Sequence, residues 1–178
     1  MKKIVLFATA LMSVTMLSGC KFIKDAIDPE KQYSFNEYKS LLAERDFKAH
    51  SYTKATLTAE ATIDGSKEES EEPIVFTWNE ELGKWQDPTD EGKSFELTVL
   101  SFGEIRKDVA SITDTKGYTF FARKDSYRIV NAGSDTDEEY EWQWSFDKDG
   151  LLTETHIKLK DLVKMAKKEG SVKVSYSK

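Results

Sequence analysis

Residues 140–146 read Tyr-Glu-Trp-Gln-Trp-Ser-Phe, with a large ring at every second position and Glu141, Gln143 and Ser145 between them. Successive side chains point to opposite sides only in an extended strand. Tyr140, Trp142, Trp144 and Phe146 therefore predict a strand with one aromatic and one polar face. A helix would scatter the same rings around its circumference. Asp147-Lys148-Asp149-Gly150 follows, a turn whose glycine accepts a positive φ. Residues 151–159 then read as the returning strand of a hairpin.

The other elements are read from period and punctuation. Ser34 with Glu37 three residues on is a capping-box pattern, and Phe35, Tyr38, Leu41 and Leu42 share one helical face, so 35–46 is expected to be a helix. Ala55, Leu57, Ala59, Ala61 and Ile63 alternate with polar residues and predict a strand over 55–65. Residues 64–72 form a charged loop. Ile74, Phe76 and Trp78 mark a second strand, 79–83 a turn, and 84–86 a third strand. Apolar residues recur every three to four positions over 94–112, which favours a helix weakened at Gly103 by ~1 kcal/mol, while Thr98, Val99 and the 95/97/99 alternation also allow a strand at its start.

Segments 118–123 and 127–130 flank Lys124-Asp125-Ser126 as a hairpin, and 132–139 is an acidic loop. Residues 160–168 suit a short helix ended by Gly170, and Val172, Val174 and Tyr176 a last strand. Short connections favour antiparallel neighbours. The expectation is an α+β fold: a curved, mainly antiparallel sheet of about seven to eight strands with two or three helices packed on one face.

The first twenty residues follow another logic. Lys2 and Lys3 precede an uncharged run, 4–17, too short for the roughly 20 residues of a membrane-spanning helix. It suits the apolar region of a signal peptide. Leu17-Ser18-Gly19-Cys20 comes next. This tetrapeptide, with its flanks, resembles the lipobox of bacterial lipoproteins. The resemblance implies a diacylglycerol thioether on Cys20, cleavage between Gly19 and Cys20, and often a third acyl chain on the new amine. Two acyl chains hold a protein stably at a bilayer. Cys20 is the only cysteine, so the remainder carries no thiol and no internal disulfide. The expected organisation is a cleaved signal at 1–19, a lipidated tether at 20–33 interrupted by Pro29, and one extracytoplasmic domain at 34–178. Lys21 stands where an Asp would favour inner-membrane retention in many Gram-negative cells. The expected location is therefore the cell membrane or the outer membrane, with the envelope type open.

Candidate sites are few. Tyr140, Trp142, Trp144 and Phe146, with Phe76, Trp78, Trp85, Tyr118 and Phe120, form either the core or the lining of an apolar pocket. Asp135, Asp137, Glu138, Glu139 and the acids of 68–72 read as solvated charge rather than calcium ligands. Setting Gly150 at the sixth place of an EF-hand loop puts Ser145 first and His156 twelfth, which leaves a plain turn. His50 and His156 are far apart in sequence and predict no metal site. Thirty-two carboxylates place acids together by chance and identify no general acid–base pair. No catalytic residue and no cofactor is expected. A net charge of −6 argues against nucleic acid as a partner. The order of elements, a helix followed by antiparallel strands with aromatic inner positions, is similar in architecture to half-barrel lipoprotein carriers and lipid-binding mycobacterial lipoproteins. That implies a carrier or sensor of a hydrophobic ligand, beside the simpler expectation of a non-catalytic interaction module; the remaining alternative is an envelope hydrolase whose site is dispersed along the chain. The expected partners are the membrane, through Cys20, and a hydrophobic small molecule or an envelope protein.

Overall fold

The computed structural model describes residues 28–67, 72–86 and 103–178. The lipobox, the 68–72 loop except Glu72, and residues 94–102 of the expected 94–112 helix lie outside the described residues. Nearly all the described structure lies in one compact unit, Gln32–Lys178.

The described elements, in chain order, are β1 (Lys31–Tyr33), α1 (Phe35–Glu44), β2 (Lys54–Ile63), β3 (Ser66–Lys67), β4 (Ile74–Asn79), β5 (Lys84–Gln86), α2 (Ile105–Ser111), β6 (Tyr118–Ala122), β7 (Ser126–Ser134), β8 (Glu138–Asp147), β9 (Leu152–Asp161) and β10 (Lys167–Ser177). The strands form one open sheet in the order β1-β6-β7-β8-β9-β10-β2-β4-β5, with β3 beside β2. The ladders that join β2 to β10 are antiparallel. Among the described residues no helix is long and apolar enough to cross a membrane.

Register explains how one apolar face runs across the sheet. Trp144 of β8 stands between Ile129 of β7 and Thr155 of β9, and Phe146 between Tyr127 and Leu152. A register shift between Ser145 and Phe146 lets Leu152 and Thr155, an odd number of residues apart, share that face. Thr155 pairs with Val172 of β10, and Val172, Val174 and Tyr176 pair with Ala59, Leu57 and Ala55 of β2. Ala55 then faces Phe76 of β4, and Trp78 faces Trp85 of β5. Ile129, Trp144, Phe146, Phe76, Ala55 and Phe120 are all at most 2% exposed. Burial of each large side chain here contributes about 1.5–3 kcal/mol.

The helix α1 forms where the capping box predicted it. The Ser34 hydroxyl accepts from the Glu37 amide, and the Glu37 carboxylate accepts from the Ser34 amide at 2.9 Å. Its buried residues, Tyr38 and Leu42, are one turn apart. Tyr38 and Phe35 both set their rings 5.2 Å from Phe120 of β6. The second helix is stitched to the β8–β9 turn: the Ile105 amide donates to the Gly150 carbonyl at 2.9 Å, and Glu104 bridges Leu151.

Several expectations change. Among the described residues there are ten strands where seven to eight were expected. The additional two, β1 and β3, are three and two residues long, too short for alternation to show. Within the expected 94–112 helix, the described residues are helical only at Ile105–Ser111. The acidic segment 132–139 is mostly strand, with Ala132 paired to Glu141 and Ser134 to Glu139, so only Asp135–Asp137 remain as the loop. The expected helix at 160–168 does not form. β9 continues to Asp161, whose Oδ1 accepts from the Val163 and Lys164 amides and turns the chain into β10. Gly170 lies within β10, opposite Ile157 and Ala61. An Asx turn and two backbone ladders outweigh the modest helix propensity of Leu-Val-Lys-Met-Ala-Lys.

Candidate functional site

The aromatic stripe divides along its length. Trp144 and Phe146 are 2% and 1% exposed and belong to the core. Trp142 and Tyr140 are half-buried. Trp142 lies parallel to Trp144, 11° between planes and 6.1 Å between centroids. Tyr140 is paired with Gly133, and a Cβ there would come within 2.5 Å of its hydroxyl, so the glycine makes room for the ring. On the same face, Ile157, Leu159 and Val172 are half-buried, and Ala59, Ala61 and Ile63 are exposed. The apolar face thus passes from closed core at Phe146 to a rim reached by solvent at Tyr140. The Trp144 indole N–H and the Asn131 side-chain oxygen, opposite Trp142, are buried without a hydrogen-bond partner among the described residues.

Trp78 belongs to a different cluster, at the β4–β5 edge. His50 lies nearly parallel to Trp85, at 5.3 Å and 17°, and meets Trp78 at 4.4 Å and 79°. Tyr52 and Tyr176 complete the group, their centroids 5.5 Å apart. The Tyr176 hydroxyl donates to the Leu152 carbonyl at 2.7 Å, and burial raises its pKa. The sequence offered no local signal for this cluster, because its members come from the α1–β2 connection, β4, β5 and β10.

The opposite face of the sheet is polar. Lys158 pairs with Glu141 at 2.9 Å, Lys160 with Glu139 at 2.9 Å, and His156 with Glu169 at 2.8 Å. A cavity of about 450 Å³ is lined by 139–141, 158–160 and 167–169. Both ends of each three-residue segment lie on the face opposite Tyr140 and Leu159, so the cavity opens between charged rows and not on the aromatic face.

The acids singled out in the sequence build turns. Asp135 Oδ1 accepts from the Asp137 and Glu138 amides at 2.9 and 2.8 Å, which holds its carboxyl below the usual range. Asp147 Oδ1 accepts from the Asp149 and Leu151 amides. His156, placed last in the EF-hand alignment, is engaged with Glu169. No group of three or more His, Cys, Asp or Glu suited to a metal ion occurs among the described residues.

One buried acid had no sequence signal. Asp108 of α2 is 4% exposed, and its Oδ2 has no hydrogen-bond partner among the described residues. Burial pushes its carboxyl up to about 8, with Lys107 opposing and Glu104 adding to the rise. Compared with protein-family profiles, curated proteins and solved structures, the chain matches none.

Proposed function

We propose that this is a bacterial lipoprotein held on the extracytoplasmic side of the cell membrane or outer membrane by acyl chains on Cys20, and that its domain binds a partner rather than turning over a substrate. The anchor rests on Leu17-Ser18-Gly19-Cys20 behind Lys2, Lys3 and the uncharged 4–17 run. The observation that carries the binding role is the divided stripe: Trp144 and Phe146 are closed, while Trp142 and Tyr140 keep solvent contact on the same face. The reading takes the sheet as curved with both helices on that face, which leaves the Tyr140 end as its open part. Partly exposed aromatic rows are the usual chemistry of recognition surfaces. Ile157, Leu159 and Val172 extend the open part as an apolar strip. That favours a hydrophobic ligand as the second reading, beside an envelope protein.

Replacing Cys20 by Ala is expected to abolish incorporation of labelled fatty acid and to move the protein to the aqueous phase of a detergent partition. Labelling that survives the substitution would refute the anchor. For the domain, native mass spectrometry of delipidated protein is expected to show a co-purified lipid that Trp142→Ser removes. Equal retention by the variant would exclude the rim as the site.

A further inference from the structure

A second surface lies between the helices. Phe35, Lys39, Leu42 and Ala43 of α1 recur at helical spacing and face Arg106, Val109 and Ala110 of α2, with Ile112 at the end. Together these eight residues line a groove of about 350 Å³, within the range of small-molecule sites. Its buried members, Leu42, Val109 and Ile112, are at most 6% exposed. Ala43 and Ala110 are exposed and small, which keeps the groove open. None of the eight is an acid and two are cations, in a chain whose acids outnumber its bases.

The two cations are differently held. Lys39 sits over the Phe35 ring at 5.0 Å. Arg106 lies 4.8 Å over Phe47, donates from Nε to the Leu42 carbonyl at 3.3 Å, and donates from Nη2 to the Arg45 carbonyl. Its guanidinium is therefore fixed in place, opposite carbonyls at the C-terminal end of α1. It carries five N–H donors, and these two bonds leave others unspent. A fixed guanidinium beside an acid-free apolar groove matches a planar carboxylate on an alkyl chain.

We propose that the groove between α1 and α2 binds a single-chain anionic amphiphile, a fatty carboxylate, with its chain over Leu42, Val109 and Ile112 and its head at Arg106, Lys39 adding positive charge from the Phe35 end of the groove. This deepens the binding reading by naming a site and a ligand class, and it needs neither the Cys20 anchor nor the Tyr140 rim. Calorimetric titration of the full chain with laurate, below its micelle concentration, is expected to show saturable binding. Methyl laurate, with the same chain and no charge, is expected to bind at least tenfold more weakly. Ala110→Trp fills the groove from an exposed position and is expected to weaken laurate at least tenfold. Lys39→Gln, also exposed, is expected to weaken laurate several-fold and to leave methyl laurate unchanged; it keeps the test decisive if the tryptophan variant folds poorly. Absence of laurate binding, equal affinity for the ester, or laurate binding indifferent to both substitutions would overturn the proposal. Those outcomes leave the Cys20 labelling and Trp142→Ser results standing on their own.

Discussion

Asp108 shows what burial does to a single group. In the folded chain its carboxyl keeps a proton up to about pH 8, whereas the unfolded carboxyl, with an ordinary pKa of 3.8, gives it up far earlier. Between those values the folded state binds more protons, so this group's contribution lowers stability as pH rises from about 4 to about 8 and levels off above. Asp108→Asn keeps the shape and removes the titration. Urea midpoints at pH 5, 7 and 9 are expected to show the variant gaining on the parent as pH rises. Curves that stay parallel would mean that Asp108 does not titrate in this window. No local pattern marks this acid, which stands in Ile105-Arg106-Lys107-Asp108-Val109 like any surface residue. It is buried because α2 is pinned to Gly150 and Leu151, far along the chain.

At the scale of elements, the legible ones are those whose signals are local. The capping box and the apolar stripe of α1 lie within eleven residues, and both are realised. Ser34→Ala removes the acceptor for the Glu37 amide and is expected to cost about 1 kcal/mol, read as a lower denaturant midpoint with unchanged slope. The β8–β9 turn is equally legible, and Gly150 takes the expected positive φ of 79°. A Cβ there would meet Phe47 ring carbons at 3.0 Å and Ile105 at 3.1 Å. Gly150→Ala is therefore expected to cost about 1–3 kcal/mol, from αL strain and from displaced packing. A midpoint equal to the parent's would show that the turn relaxes without cost. Residues 160–168 misled because their composition favours helix, while Asp161 and the pairing of Lys160 with Lys167 impose a hairpin.

For the whole molecule, the decisive contact is the pairing of β10 with β2. It joins residues 54–63 to 168–177 and turns a local meander into one sheet. β8, β9 and β10 are flanked on both sides, whereas β1 and β5 end the sheet and have three residues each. Hydrogen exchange is expected to be slowest in β8–β10 and fast in β1 and β5. Protection in β5 equal to that in β8 would contradict this order of stability. The same long-range closure assembles His50, Trp78, Trp85 and Tyr176, and it sets which part of the aromatic stripe is core. By itself the sequence determined the strand periods, the cap of α1, the β8–β9 turn and the aromatic identity of one sheet face, because each follows from neighbours a few bonds apart. Only the tertiary structure decided that Trp144 and Phe146 are closed while Tyr140 and Trp142 meet solvent, that Asp108 is buried, and that an acid-free groove opens between the helices. Those outcomes depend on which distant segments cover a given side chain, and burial of that kind leaves no mark on local periodicity.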